Sequence, residues 1–199
     1  MIKKLKNELN HIIISNLKGY LLVLGVFLSG VALSYMINIS SGAEGEIKHY
    51  IDDFVLSVKN YSTDSESTFS TAMISYIKCV CVLLCMSLSV AGSVGALIYV
   101  FVKGFSYGIV FGTMFGVMSA DALKLLLCLF LPHSIVMIPC FLMYSLFCIK
   151  NAYLISKGVK DMKSRIVMPI VYALIATSVL SVSALIQAYF EPLLTRIII

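Results

Sequence analysis

Charge is scarce in this sequence: Asp, Glu, Lys and Arg together make up 13% of its 199 residues, whereas 60% are hydrophobic. A soluble domain of this length would need a far larger polar surface, so a soluble globular class is excluded. Tryptophan is absent, and the polar stretches left between apolar runs are too short to form a soluble domain. The usual carriers of chemistry are missing as well. The chain has no phosphate-cradling glycine loop, no paired intramembrane carboxylates for a proton relay, and no face suited to nucleic acid. The six cysteines, Cys79, Cys81, Cys85, Cys128, Cys140 and Cys148, all lie within apolar runs. Thiols in that setting behave as small hydrophobes, and Cys79-x-Cys81 lacks both zinc spacing and a nearby histidine. No metal and no cofactor is expected. A cleavable leader is not expected either, because the first apolar run is long and no small-residue cleavage site follows it.

What is present is hydrophobic length. Mean hydropathy is +0.98, and the chain reads as an all-α membrane protein, one polytopic domain over 1–199 with about five transmembrane helices. Its most distinctive stretch runs from Lys103 to Gly116, where Gly104, Gly108, Gly112 and Gly116 recur every fourth residue. Positions four apart share a helix face, so these glycines outline a shallow groove. In a bilayer such a groove admits a neighbouring backbone, within one chain or between two copies in a homo-oligomer. Leu at Gly108 or Gly112 should block that approach, and Ala should be milder.

Residues 1–18 set Leu5, Leu9, Ile12 and Ile13 against Lys3, Lys4, Lys6 and Glu8, predicting a short amphipathic helix on the cytoplasmic membrane surface. A first span follows at about 19–38. The extracytoplasmic segment 39–75 carries Tyr50, Phe54, Val58 and Tyr61 at helical spacing opposite Glu46, Asp52 and Asp53. It predicts an amphipathic helix too short in apolar content to cross. Its apolar stripe has two destinations, membrane lipid or a partner protein that reads the acidic face. A new helix is expected near Ser67, and the second span covers about 76–101. Ser87, Ala91 and Gly95 there form a small-residue face, read as the partner of the glycine ladder. Lys103-Gly104 then reads as a tight turn into a third span at about 104–120.

The fourth run, about 122–149, is broken by Pro132 and Pro139. It is either one kinked span or a re-entrant segment followed by a span. A basic loop fills 150–165, Pro169 opens the fifth span at about 167–188, and Glu191-Pro192 closes it. Orientation follows Lys and Arg: Lys3, Lys4, Lys6, Lys18, Lys103, Lys150, Lys157, Lys160, Lys163 and Arg165 fall on one side. Lys48, Lys59, Lys78, Lys124 and Arg196 fall on the other. The N-terminus is therefore expected in the cytoplasm and the C-terminus outside.

Two polar features merit weighing. Ser93 lies between Gly92 and Gly95, but a nucleophile needs a base within reach, and serine beside glycine in a membrane helix reads as packing. His133 is an ionisable group in an apolar run, a candidate for an ion path. It also suits a structural bond to a carbonyl freed by Pro132 and Pro139.

Four ordered motifs carry a resemblance. They are Gly25-Val-Phe-Leu-Ser-Gly30 leading to Asn38, and Phe101-Val-Lys103-Gly104 with the ladder to Gly112. Then come Leu131-Pro132-His133-Ser-Ile-Val-Met-Ile-Pro139 and Ala188-Tyr189-Phe-Glu-Pro192. In order and spacing the chain resembles the stage II sporulation protein M family of endospore-forming bacteria. Ser134 and Met137 depart from relatives that carry Gly and an acid there, so no acid-dependent role transfers to 137. The resemblance implies a non-enzymatic scaffold in the mother-cell membrane at the sporulation septum. There it would hold the extracytoplasmic peptidoglycan hydrolases, stage II sporulation proteins D and P, for forespore engulfment. A reading from another class is a small transporter whose path is lined by His133 and the Pro132 and Pro139 breaks.

Overall fold

The computed structural model describes residues 2–41, 65–116, 130–158 and 162–198, and among these it contains only helices and turns. Helix α1 is Ile2–Ser41, α2 Ser65–Ser87, α3 Gly92–Gly116, α4 Leu131–Ser156 and α5 Met162–Leu185. A π-helical turn, Ile186–Phe190, joins α5 to α6, Glu191–Ile198. Five stretches are long and apolar enough to cross a membrane: Leu17–Ile37, Ser65–Ser87, Gly92–Gly112, Leu131–Ser156 and Ile166–Leu194. The protein is a multi-pass membrane protein. The expected segment 1–18 is not a separate helix, because α1 runs without a break from it into the first span.

The second and third spans are shifted from their expected places. The chain turns at 88–91, not at Lys103-Gly104, which lies inside α3. Hydropathy misleads here because the turn carries no charge, whereas Lys103 offers the one basic mark in a long apolar run. The turn is made by Ser89 N–H donating to Met86 O at 3.1 Å and Gly92 N–H to Ser89 O at 3.1 Å. A Cβ on Gly92 would collide with the Met86 carbonyl, so the returning chain needs glycine there. Asn151 Nδ2 donates to Ser87 O at 3.1 Å, satisfying a carbonyl that the ending helix leaves open.

This break also undoes the expected Ser87–Ala91–Gly95 face. Ser87 closes α2, Ala91 is exposed in the turn, and Gly95 looks onto the Met86 sulfur across it. The glycine ladder packs instead on α1. A Cβ on Gly104 would meet the Phe27 carbonyl, and one on Gly108 would lie 2.8 Å from Val31 Cα. From the other side, a Cβ on Gly30 would meet the Phe101 carbonyl and lie 2.9 Å from Phe105 N. The two backbones touch, so the seam joins helices of one chain. Gly112 is buried on the same face, and Gly116 ends α3.

Helix α4 is the centre of the bundle and packs against α1, α2, α3 and α5. Its buried face runs from His133 through Met137, Phe141 and Leu142 to Cys148 and Asn151. Pro132 lies in the first turn of α4 and opens that helix, and residues 122–129 of the expected run lie outside the described residues. Pro139 is inside the helix and exposed. Pro169 likewise sits within α5, not at its start. The buried side of α5 carries Ala173, Ala176 and Ala184, continued by Ala188 in the π-turn, small residues that allow close approach to α2 and α4.

Candidate functional site: a buried histidine and glutamate

The fifth span does not stop at Glu191-Pro192 as expected; it bulges. Glu191 N–H donates to Ile186 O, five residues back, so one turn holds an additional residue. Proline at 192 has no N–H to give and would crowd the carbonyl four residues earlier in a regular helix, which the wider turn relieves. The extra residue rotates the remainder of the helix by about 100° relative to an uninterrupted one. Glu191 thereby faces the bundle, where it is 1% exposed.

Its partner is His133. Glu191 Oε1 accepts from the His133 backbone N–H at 3.2 Å and lies 2.6 Å from His133 Nδ1. The first bond satisfies one of the open N–H groups in the first turn of α4, next to Pro132, which has none. An ionised carboxylate only accepts, so Nδ1 then carries the proton and Nε2 is the ring atom free for other contacts. Ser183 Oγ–H donates to the His133 carbonyl at 3.0 Å. One residue of α4 is thus held at its N–H, its ring and its carbonyl by the C-terminal span. Tyr76 of α2 joins them, donating to Gln187 Oε1 at 3.2 Å.

Ser183, Gln187 and Glu191 recur at every fourth position in an apolar helix. That polar stripe is the sequence signal for this site, and it is masked because Glu191-Pro192 reads as a helix end. The expectation that His133 bonds a carbonyl freed by the prolines is replaced by this carboxylate partner. Pro132 starts the helix beside the pair. Pro139 lines an apolar groove with Phe111, Ile135 and Ile138, and His133 lines a different cavity.

His133 also forms part of the wall of an open cleft of about 400 Å³. Ser67, Thr71 and Ser75 of α2 line one side, and Tyr107 and Gln187 help close it. The Phe130 ring packs edge-on against His133 with centroids 5.4 Å apart, and also against Tyr107 and Phe111. Met137, one turn beyond His133, is buried and accepts the Tyr107 hydroxyl on its sulfur at 3.0 Å. Among the described residues no third His, Cys, Asp or Glu joins the pair to make a metal-holding set. Glu46, Asp52 and Asp53 lie outside the described residues.

A family model, stage II sporulation protein M, matches residues 23–192. The chain belongs to the stage II sporulation protein M family. The match takes in three spans whole and most of the first and fifth, begins on the α1 face that meets the glycine ladder, and ends one residue past Glu191. Family membership makes this a sporulation-related membrane protein. Neither a curated protein nor a solved structure matches the chain.

Proposed function

We propose that the protein is a membrane scaffold of forespore engulfment, holding stage II sporulation proteins D and P at the septum in the mother-cell membrane. Family membership across the whole bundle is the observation that carries the reading. The family is a sporulation membrane family, not a known enzyme family. The architecture is consistent with a holding role, since closely packed helices with a clamped pair form a rigid platform. The N-terminus is cytoplasmic and the C-terminus external in this reading. With Lys18, Lys103 and Lys150 inside spans on one side of the basic tally and Lys78 on the other, the bias narrows but keeps its sign. The acidic face of Glu46, Asp52 and Asp53 is then external and serves as the hydrolase contact.

Charge reversal at Asp52 and Asp53 to Lys tests the contact while leaving the apolar stripe unchanged. The double variant should reach the membrane at normal abundance, lose capture of the hydrolases in a pull-down, and stall engulfment. Normal capture would remove this face from the binding surface. Absence of both hydrolases from the wild-type pull-down, together with solute flux in liposomes, would favour a transporter instead.

A further inference from the structure

Lys103 stands near the middle of the 25-residue α3, at a depth where a charged side chain is costly and needs a partner or water. Its ammonium lies 5.9 Å from the Tyr99 ring centroid, and among the described residues no carboxylate pairs with it. It lines a second cleft of about 210 Å³ together with Ser75, Tyr76, Ser106 and Tyr107. Ser75, Tyr76 and Tyr107 also line the larger cleft beside His133, so the two adjoin. Helices α2 and α3 meet where Tyr99 Oη–H donates to Cys79 Sγ at 3.1 Å, and Cys79 also lines the smaller cleft. From Ser67 to Cys79 the polar wall descends about 18 Å at 1.5 Å per residue. That is more than half of a hydrocarbon core of about 30 Å.

Phe130 lines both this cleft and an apolar groove of about 410 Å³. The groove presents Phe111, Ile135 and Ile138 and almost no polar surface. A cation with hydroxyl donors beside a lipophilic groove is matched to a phosphate group attached to a hydrocarbon chain. We propose that the adjoining clefts bind a phosphate-class anion against Lys103, with Ser75 donating, the Ser106 and Tyr107 hydroxyls turning to it from Val102 O and Met137 Sδ, and the apolar groove taking the chain of an amphiphile. Inorganic phosphate shares the charge but has nothing to place in the groove. This site is independent of the scaffold reading.

The test uses the full-length protein in phosphatidylcholine nanodiscs doped with phosphatidylglycerol, with retained lipid read by native mass spectrometry. Wild type and Lys103→Arg should retain phosphatidylglycerol over phosphatidylcholine. Lys103→Met, close in volume but neutral, should lose that preference by roughly tenfold, the scale of one charge-assisted hydrogen bond. Ser106→Ala combined with Tyr107→Phe keeps the charge and removes donors, and should lose it several-fold. That variant serves where Lys103→Met lowers the yield of folded protein. Lys78→Met, on the exposed face of α2 and outside the clefts, should change nothing. Equal phosphatidylglycerol preference in wild type, Lys103→Met and the double variant overturns the site. Excess inorganic phosphate should fail to displace the lipid; displacement with the same Lys103 dependence would overturn the assignment of the apolar groove to the ligand's chain.

Discussion

A single carboxylate oxygen at position 191 serves two donors on another helix, the His133 backbone N–H and its ring nitrogen. Hydrogen bonds to a charged acceptor contribute about 1.5–3 kcal/mol, and leaving a buried donor unmet costs on the order of 1–3 kcal/mol. Glu191→Ala should therefore lower the stability of the detergent-purified protein by about 2–3 kcal/mol, measured as a fall in melting temperature. Glu191→Gln keeps an oxygen for the backbone N–H but gives up the charge, so its loss should be smaller. The pair makes a double-mutant cycle worth running. With His133→Ala alone, Glu191→Ala alone and both together, the coupling should reach about 0.5–3 kcal/mol. Additive losses would show that the two side chains do not interact.

At the scale of elements, the seam between α1 and α3 is set by backbone meeting backbone. The sequence expectation that alanine would be mild on the glycine ladder does not survive this geometry. A methyl on Gly30 or Gly104 meets a carbonyl, which has no rotamer by which to move aside. Gly30→Ala and Gly104→Ala should each reduce folded yield nearly as far as leucine does, read by size-exclusion chromatography of the solubilised protein. Gly25, on the exposed side of α1 with nothing within 4 Å of its would-be Cβ, supplies the control. Gly25→Ala should leave the yield unchanged. The π-turn is the other element whose geometry matters, because one extra residue turns Glu191 inward. Pro192→Ala relieves the need for a wide turn and should weaken the His133 pairing, seen as reduced coupling in the same mutant cycle.

For the whole molecule, five spans place the 88–91 turn and the turn after Ser156 on the same face of the membrane, with His133 and Glu191 toward the opposite one. A reporter inserted at Ser89 or after Gly158 should register as cytoplasmic, and one fused after Ile199 as external. Agreement among all three would break the five-span arrangement. The basic bias that supports this orientation is concentrated near the N-terminus and around 150–165, which explains why moving Lys103 into a span leaves its direction intact.

The residue order by itself determined the class, the number of spans and the family, because hydrophobic length and ordered motifs are properties of the chain read in one dimension. It also marked glycines 104 and 108 as places where something must come close, since a four-residue period defines a helix face without reference to any partner. The partner is a different matter. That α1, and not α2, lies in that groove depends on which helices the bundle sets side by side. The turn at 88–91 escaped a reading by charge because its cost is met through space, by Asn151 reaching the Ser87 carbonyl from 64 residues away. His133 and Glu191 are 58 residues apart and meet because a π-turn changes the facing of everything after it. Periodicity assumes a constant angle per residue, so only the tertiary structure, where that angle changes, could bring the two together.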